Sequence, residues 1–311
     1  MMRFLGFPAG DWLGILLNLP RIWRSDLILS TVENVGFPLA LMRVMGLWSI
    51  PWIYTSIGTP ERLERMHALL RHGLRTSLRE SSLISCFGAG ERDRLDTLVN
   101  PYECGTIPVL HWTYGIAVPQ NNHQPPMEEP QWDVISVGAD PHRDYRLLLE
   151  VAALLPGHTF LIIASAAFQA ILADAPDNVE VRYDQSMEEV RASFLKSRLV
   201  VLPILPNSYS GAVTTALLAM SLGRPVLLSL VEAIRSGYQF RHNENCFLVE
   251  PCSIEAMRRE VLGALSNTNR LEQVAKEGKH LVNDFYQSKH LEAKVNACVS
   301  SFENELAKPA V

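Results

Sequence analysis

The chain reads as an α/β protein with two Rossmann-like domains, each a parallel sheet flanked by helices. Three observations predict this. Short apolar runs of strand type alternate with helical stretches across residues 26–111. The same alternation restarts at residue 132 and continues to residue 250. Between them lies VPQNNHQPPMEEPQ, residues 118–131, rich in Pro, Asn and Gln and without periodicity, as a linker requires. The 311 residues suit two domains of about 150 residues each. The expected division is residues 1–120, a linker at 121–131, a second domain at 132–287, and a C-terminal helix over 288–311 that crosses back to the first domain.

In the first half, DLILST (26–31), IPWIYTS (50–56), SLISCF (82–87) and residues 106–111 read as strands. Residues 36–45, 61–80 and 91–99 read as helices, and the rhythm predicts helices on both faces of the sheet. Ahead of them, Trp12, Leu13, Ile15, Leu16, Leu19, Ile22 and Trp23, with Arg21 and Arg24, make an amphipathic helix. It suits either its own domain's core or a membrane interface. Pro8, Gly10, Asp11, Asn18 and Pro20 break this segment below the length of a membrane span, and no signal-cleavage region is evident.

The second half is organised around residues 197–251. Residues 199–204 form a buried-strand run, Pro206 to Gly211 a turn, 213–222 a helix stopped by Gly223 and Pro225, and 226–230 another strand. This is a parallel βαβ unit, and free N–H groups at its helix start form an anion pocket. Ser208, Tyr209, Ser210 and Gly211 are placed to cradle a phosphate, with Gly211 allowing close approach to the backbone. Around this unit, residues 132–137, 159–164, 179–183 and 246–250 are strands. Residues 145–155, 187–196, 253–265, 270–285 and 288–305 are helices.

Hydrophobic residues make up 48% and charged residues 20% of the chain, and the net charge is −5. No basic stripe with interleaved aromatics is present, which argues against a nucleic-acid partner. Cys86, Cys104, Cys246, Cys252 and Cys298 are scattered without a CxxC and read as reduced thiols of a cytoplasmic protein. His111, His142 and His242 lack metal-ligand spacing; no metal or cofactor is expected. His111 reads as structural and His142 as a cleft neighbour.

Four segments carry a family resemblance. DVISVGADPHRDYRLLLEVAALLP, SYSGAVTTALLAMSLGRPVLLS, RHNENCFLVEP and SIEAMRREVLGALSN resemble the retaining nucleotide-sugar glycosyltransferases of the two-Rossmann (GT-B) type, glycosyltransferase group 1, often called family 4. DLILSTVENVGFPLALMRVMG and IPWIYTSIG are similar to that family's acceptor domain. The resemblance implies two domains facing across a cleft, with the donor on the second. Arg143, after Gly138, occupies the family's basic position for the pyrophosphate; the plainer reading pairs it with Asp140 or Asp144. The backbone at Ser210, Gly211 and Ala212 would hold the distal phosphate, with Thr214 in the first helical turn and Thr215 read as helix filling. Glu232 falls in the loop that contacts the donor sugar. Glu33, just past its strand, is either a catalytic-side residue touching the acceptor or a loop carboxylate near the helix start.

The sequence departs from the family at several places. Two expected glutamates fall on Ser210 and Leu218, a basic residue on Ala139, and a His-Gly pair on Ile57-Gly58. Leucine accepts no hydrogen bond, and losing a charge-assisted acceptor costs about 1.5–3 kcal/mol. No opening strand and glycine-rich loop is identifiable before Asp26, so a shortened first domain is expected, with residues 1–7 a remnant strand. The implied function is transfer of a sugar from a nucleoside-diphosphate donor, with retention, to a saccharide, lipid-linked or small-molecule acceptor, in the cytoplasm or peripherally at the inner membrane. The alternatives are a non-catalytic homologue that binds nucleotide, sugar or a partner subunit, and a two-Rossmann epimerase.

Overall fold

The computed structural model describes residues 3–4, 7–101, 107–117, 130–209 and 211–306. The chain forms two compact units, Met1–Trp112 and Thr113–Val311. In the first, β1 (Arg3–Phe4) and β2 (Phe7–Pro8) pair antiparallel ahead of α1 (Ala9–Ile22). A parallel sheet follows, with β3 (Ile28–Thr31), β4 (Trp52–Ser56), β5 (Leu83–Cys86) and β6 (Val109–His111) in the order β3-β4-β5-β6. Its crossovers are α2 (Glu33–Val44), α3 (Thr59–Glu64) with α4 (Ala68–Leu78), and α5 (Ala89–Val99).

Because each strand is laid beside the last in one direction, right-handed crossovers put these helices on a single face. The core follows that face: Trp52, Tyr54, Ile84 and Cys86 from the strands meet Phe37, Met42, Leu74 and Leu95 from the helices. This differs from the two-sided sheet that the alternation predicts. Alternation reports periodicity, whereas sidedness depends on strand order. The single helix expected over 61–80 is broken at residues 65–67, where His67 takes an extended conformation. In α1, Trp12 and Ile15 are buried in this core, so the helix packs on its own unit; Leu13, Leu16 and Leu17 are exposed, as is Trp23 just past its end. No described helix is long and apolar enough to cross a membrane.

The second unit contains β7 (Trp132–Gly138), α6 (Tyr145–Ala153), β8 (Phe160–Ala164), α7 (Gln169–Leu172), β9 (Val179–Tyr183), α8 (Met187–Leu195), β10 (Ser197–Leu202) and α9 (Val213–Ser221). Then come β11 (Val226–Ser229), α10 (Glu232–Arg235), β12 (Phe247–Val249), α11 (Ile254–Leu265), α12 (Thr268–Phe285) and α13 (Ser288–Leu306). Its six parallel strands run β12-β11-β10-β7-β8-β9. The order of addition reverses between β7 and β10, and here both faces are covered. Ile135, Leu161, Val200 and Leu228 pack with α8 and α9 on one side; Val134, Ile162, Leu199 and Leu227 pack with α6 and α11 on the other.

Polar residues set the helix starts. Asp144 caps α6, Ser253 caps α11, Asn267 caps α12, and Ser186 with Glu189 forms a reciprocal capping box on α8. Most of the expected linker, through residue 129, lies outside the described residues. The segment just before it belongs to the second unit: the Ile116 N–H donates to the Tyr286 carbonyl (2.9 Å), and the Ser288 N–H to the Ile116 carbonyl (2.9 Å). Lys294 on α13 donates to the Thr113 hydroxyl at 2.9 Å. Of the six tryptophans, only Trp132 lies in the second unit, where its indole N–H donates to Glu180 and Arg182 covers its ring.

Gly36 on α2 faces the buried ring of Tyr54, and a Cβ there would stand 2.2 Å from Cε2. Gly36→Ala is expected to lower the stability of the first unit by about 1–3 kcal/mol through overpacking, read by chemical denaturation.

Candidate active site

In an open parallel sheet, the carboxyl ends of two strands whose crossovers diverge leave a crevice at the point of reversal. In the second unit that point is the pair β7 and β10. The loop after β7 carries Ala139 to Asp144, and the loop after β10 carries Pro203 to Ala212. The two loops are stitched together: the Leu205 N–H donates to the His142 carbonyl at 2.8 Å, and the Asp144 N–H to the Pro203 carbonyl at 3.0 Å. The Asp140 carboxylate closes its own turn by accepting the His142 N–H at 2.7 Å. The rings of His142 and Tyr209 then meet edge to face with centroids 5.1 Å apart, joining the loops a second time.

Arg143 lies at this junction, only 6% exposed. Its guanidinium lies directly over Gly138, where a Cβ would come within 1.9 Å of Nε. Nη2 donates to the Thr215 hydroxyl at 3.1 Å, while Nε and Nη1 are buried without a hydrogen-bond partner. Burial pushes the Arg143 pKa down, against the opposing pull of Tyr145 and Asp140. Leaving a buried cation with unused donors is costly, by several kcal/mol before compensation. An anion at those donors would offset that cost.

Helix α9 opens beside the guanidinium. Its N-cap, Ala212, has left-handed backbone (φ 53°) and a side chain that cannot cap the helix, so the first-turn N–H groups face the loop without a cap from that residue. Gly211 is required by packing: a Cβ there would meet Ile234 Cγ2 at 2.2 Å. Ser208 is buried, Tyr209 half-buried and Thr214 exposed; Ser210 lies outside the described residues. Glu232 is exposed at the first position of α10, the helix whose Ala233 N–H donates to the Asn207 carbonyl of the loop. The structure thus gathers Gly138, Arg143, Ser208, Tyr209, Gly211, Ala212 and Thr214 around one crevice. Thr215, which periodicity alone reads as helix filling, is the side chain that orients Arg143. Leu218, one turn further, packs partly buried against the core.

Glu33 is placed differently. It is 1% exposed in the first unit, where Oε1 accepts from the Ile57 N–H (2.6 Å) and the Thr59 hydroxyl (2.9 Å). Val32 before it holds a positive φ of 59°. Glu91, which the sequence marks only as a helix start, holds the same turn. Glu91 Oε1 accepts from the Ser56 hydroxyl (2.5 Å) and the Gly58 N–H (2.6 Å), and its Oε2 is buried without a partner. The two carboxylates hold residues 56–59, the turn after β4 that contains Ile57-Gly58. The loop-carboxylate reading of Glu33 is the one its geometry supports, because Oε1 is engaged by donors of the same unit and Arg62 Nε stands 3.9 Å from Oε2. Burial raises the pKa of both, Glu91 to about 7. Among the described residues, no group of three His, Cys, Asp or Glu side chains is placed to hold a metal ion.

A six-stranded doubly wound parallel sheet with a cation and a helix start at its point of reversal places the second unit in the Rossmann class. Residues 132–267, within the second unit, match the family described as Glycosyl transferases group 1. Among curated proteins, none matches the chain. Solved structures resemble nearly its whole length. The sucrose-phosphate synthase of Thermosynechococcus elongatus is 13% identical with a TM-score of 0.75, covering 96% of this chain and 79% of that one. A trehalose-6-phosphate synthase studied for glycosyl transfer with retention is 14% identical with a TM-score of 0.72, covering 94% and 78%. HepE of Anabaena, in complex with UDP, is 12% identical with a TM-score of 0.71, covering 92% and 82%. The pair of parallel-sheet α/β domains is thus that of the GT-B fold.

Two outcomes follow from this geometry. Gly138→Ala will force the Arg143 side chain aside, at its flexible end, so the crevice's affinity for an anion such as a nucleoside diphosphate is expected to fall about tenfold or more while the melting temperature moves by only about a few degrees; calorimetry and thermal unfolding on one preparation measure both. In the first unit, Glu91 titrates near 4.5 when unfolded and about 7 when folded. The folded state holds the extra proton between these values, so stability falls as pH rises from about 4.5 to 7 and is level above. The loss from Glu91 is on the order of 3 kcal/mol, and Glu91→Gln, which keeps an acceptor and cannot ionise, flattens that slope in denaturation series at pH 5 and 8.

Proposed function

We propose that the chain transfers a sugar from a nucleoside-diphosphate donor to an acceptor with retention of anomeric configuration, as the resemblance to family 4 implies. The single observation that carries this reading is the buried Arg143 guanidinium, with Nε and Nη1 unpaired beside the start of α9. When the sugar leaves, negative charge develops on the diphosphate. A cation and N–H groups already oriented toward that charge lower the barrier without reorganisation. Arg143 would meet the pyrophosphate and the backbone of residues 210–212 the distal phosphate, with Thr214 at the helix start and Glu232 toward the sugar. The charge is met by these groups, and the proposal includes no metal. A uridine nucleotide is the first donor to test, since the similar HepE structure holds UDP. The free thiols Cys86, Cys246, Cys252 and Cys298 fit a reducing compartment such as the cytoplasm.

A second reading, binding without transfer, is favoured by Leu218, which fills with hydrocarbon the position where the family carries an acidic acceptor. Titration of the intact protein with UDP, GDP, ADP and dTDP separates the readings from an absence of any site. One nucleotide should bind saturably, and Arg143→Ala should weaken it about tenfold to a hundredfold. Sugar release from the matching donor, with the anomeric configuration of the product read by NMR, distinguishes transfer from binding alone. If no nucleotide binds, or if Arg143→Ala binds as tightly as the native protein, the donor assignment fails.

A further inference from the structure

We propose that a pocket in the helical layer of the first unit binds a phosphomonoester. The pocket has a volume of about 570 Å³ and lies among α3, α4 and α5. Pro60, Leu63 and Leu98 supply an apolar lining; Arg71, Arg75 and Arg94 supply charge. Arg71 and Arg75 are one turn apart on α4 and so project from the same side of the helix.

The charges around the pocket do not balance within the protein. Arg94 is held by Glu61 and by Glu64, the latter at 2.6 Å, and Asp93 is held by Arg92 at 2.5 Å. These pairs use the acidic side chains at the rim. Among the described residues no carboxylate pairs with Arg71 or Arg75, and Arg75 Nε is buried without a hydrogen-bond partner. Arg71, Arg75, Arg92 and Arg94 thus exceed Glu61, Glu64 and Asp93 by one charge, and the excess sits on Arg71 and Arg75, which have no carboxylate partner among the described residues.

A phosphomonoester carries about −1.5 to −2 charges at neutral pH, enough to meet both Arg71 and Arg75 and to offset the pocket's excess positive charge. Guanidinium donors also suit the spacing of phosphate oxygens. The volume falls in the range of small-molecule sites, about 300–1,000 Å³, and exceeds what phosphate alone would fill. The remainder of the ligand would lie on Leu63, Leu98 and Pro60. This site is in a different unit from Arg143 and uses none of the donor-site residues. The phosphate could be carried by a soluble metabolite or by a lipid headgroup, and the two are separable.

The test uses the intact protein with glycerol 3-phosphate, glycerol as the uncharged control, and phosphatidylcholine vesicles with or without phosphatidic acid. Saturable calorimetric binding of glycerol 3-phosphate, but not glycerol, identifies a soluble phosphoester site. Sedimentation with phosphatidic acid vesicles alone identifies a headgroup site. In either case Arg71→Ala, and the double Arg71→Ala/Arg75→Ala variant, should weaken binding about tenfold or more, while Arg143→Ala leaves it unchanged. Arg71 is half-exposed, so the single variant keeps the fold, verified by circular dichroism, if the double variant does not. Binding of neither probe, binding indifferent to Arg71→Ala, or loss of binding in Arg143→Ala would overturn the proposal.

Discussion

The second unit depends on one unmet electrostatic demand: a guanidinium enclosed by protein and hydrogen-bonded through only one of its nitrogens. Several features of the local sequence answer to it. Gly138 has no side chain because Arg143 occupies that space. Thr215 offers a hydroxyl because one Nη needs a fixed partner. The loops after β7 and β10 are bonded to each other, which fixes the backbone from which Arg143 reaches over Gly138. Such an arrangement is stable in the absence of ligand only because the surrounding sheet, buried on both faces, overdetermines it.

The first unit solves a related problem with the opposite sign. Glu33 and Glu91 are enclosed near each other, and each is stabilised by backbone or hydroxyl donors from residues 56–59. Burial makes ionisation expensive, and the donors partly counteract that. The result is a turn whose shape is tied to two buried acids, in the stretch where the resembling family carries a His-Gly pair and this chain carries Ile57-Gly58. Conformation there is set from inside the unit.

Much of this was legible in the sequence. The strands of both halves lie where apolar runs place them, and the loop before α9 and the helix itself follow from Gly211, Gly223 and Pro225. Strand order was not legible. Periodicity does not reveal that β10 lies beside β7, and so does not reveal that residues 143 and 215 touch. Arg143 is marked by the family resemblance, while Thr215 reads like any helical threonine. Glu91 was invisible as a partner of Glu33 because their proximity arises from parallel crossovers. The helical pocket was likewise beyond reading, since unpaired arginines are recognisable only once the carboxylates are known to be taken.

The uneven placement of indoles also has a spectroscopic meaning. With Trp12, Trp23, Trp48, Trp52 and Trp112 in the first unit and Trp132 alone in the second, intrinsic emission is almost a private signal of the first unit. Far-ultraviolet ellipticity draws on the helices of both. The two signals together can therefore resolve whether the units melt as one cooperative body or in succession, without labels or dissection of the chain.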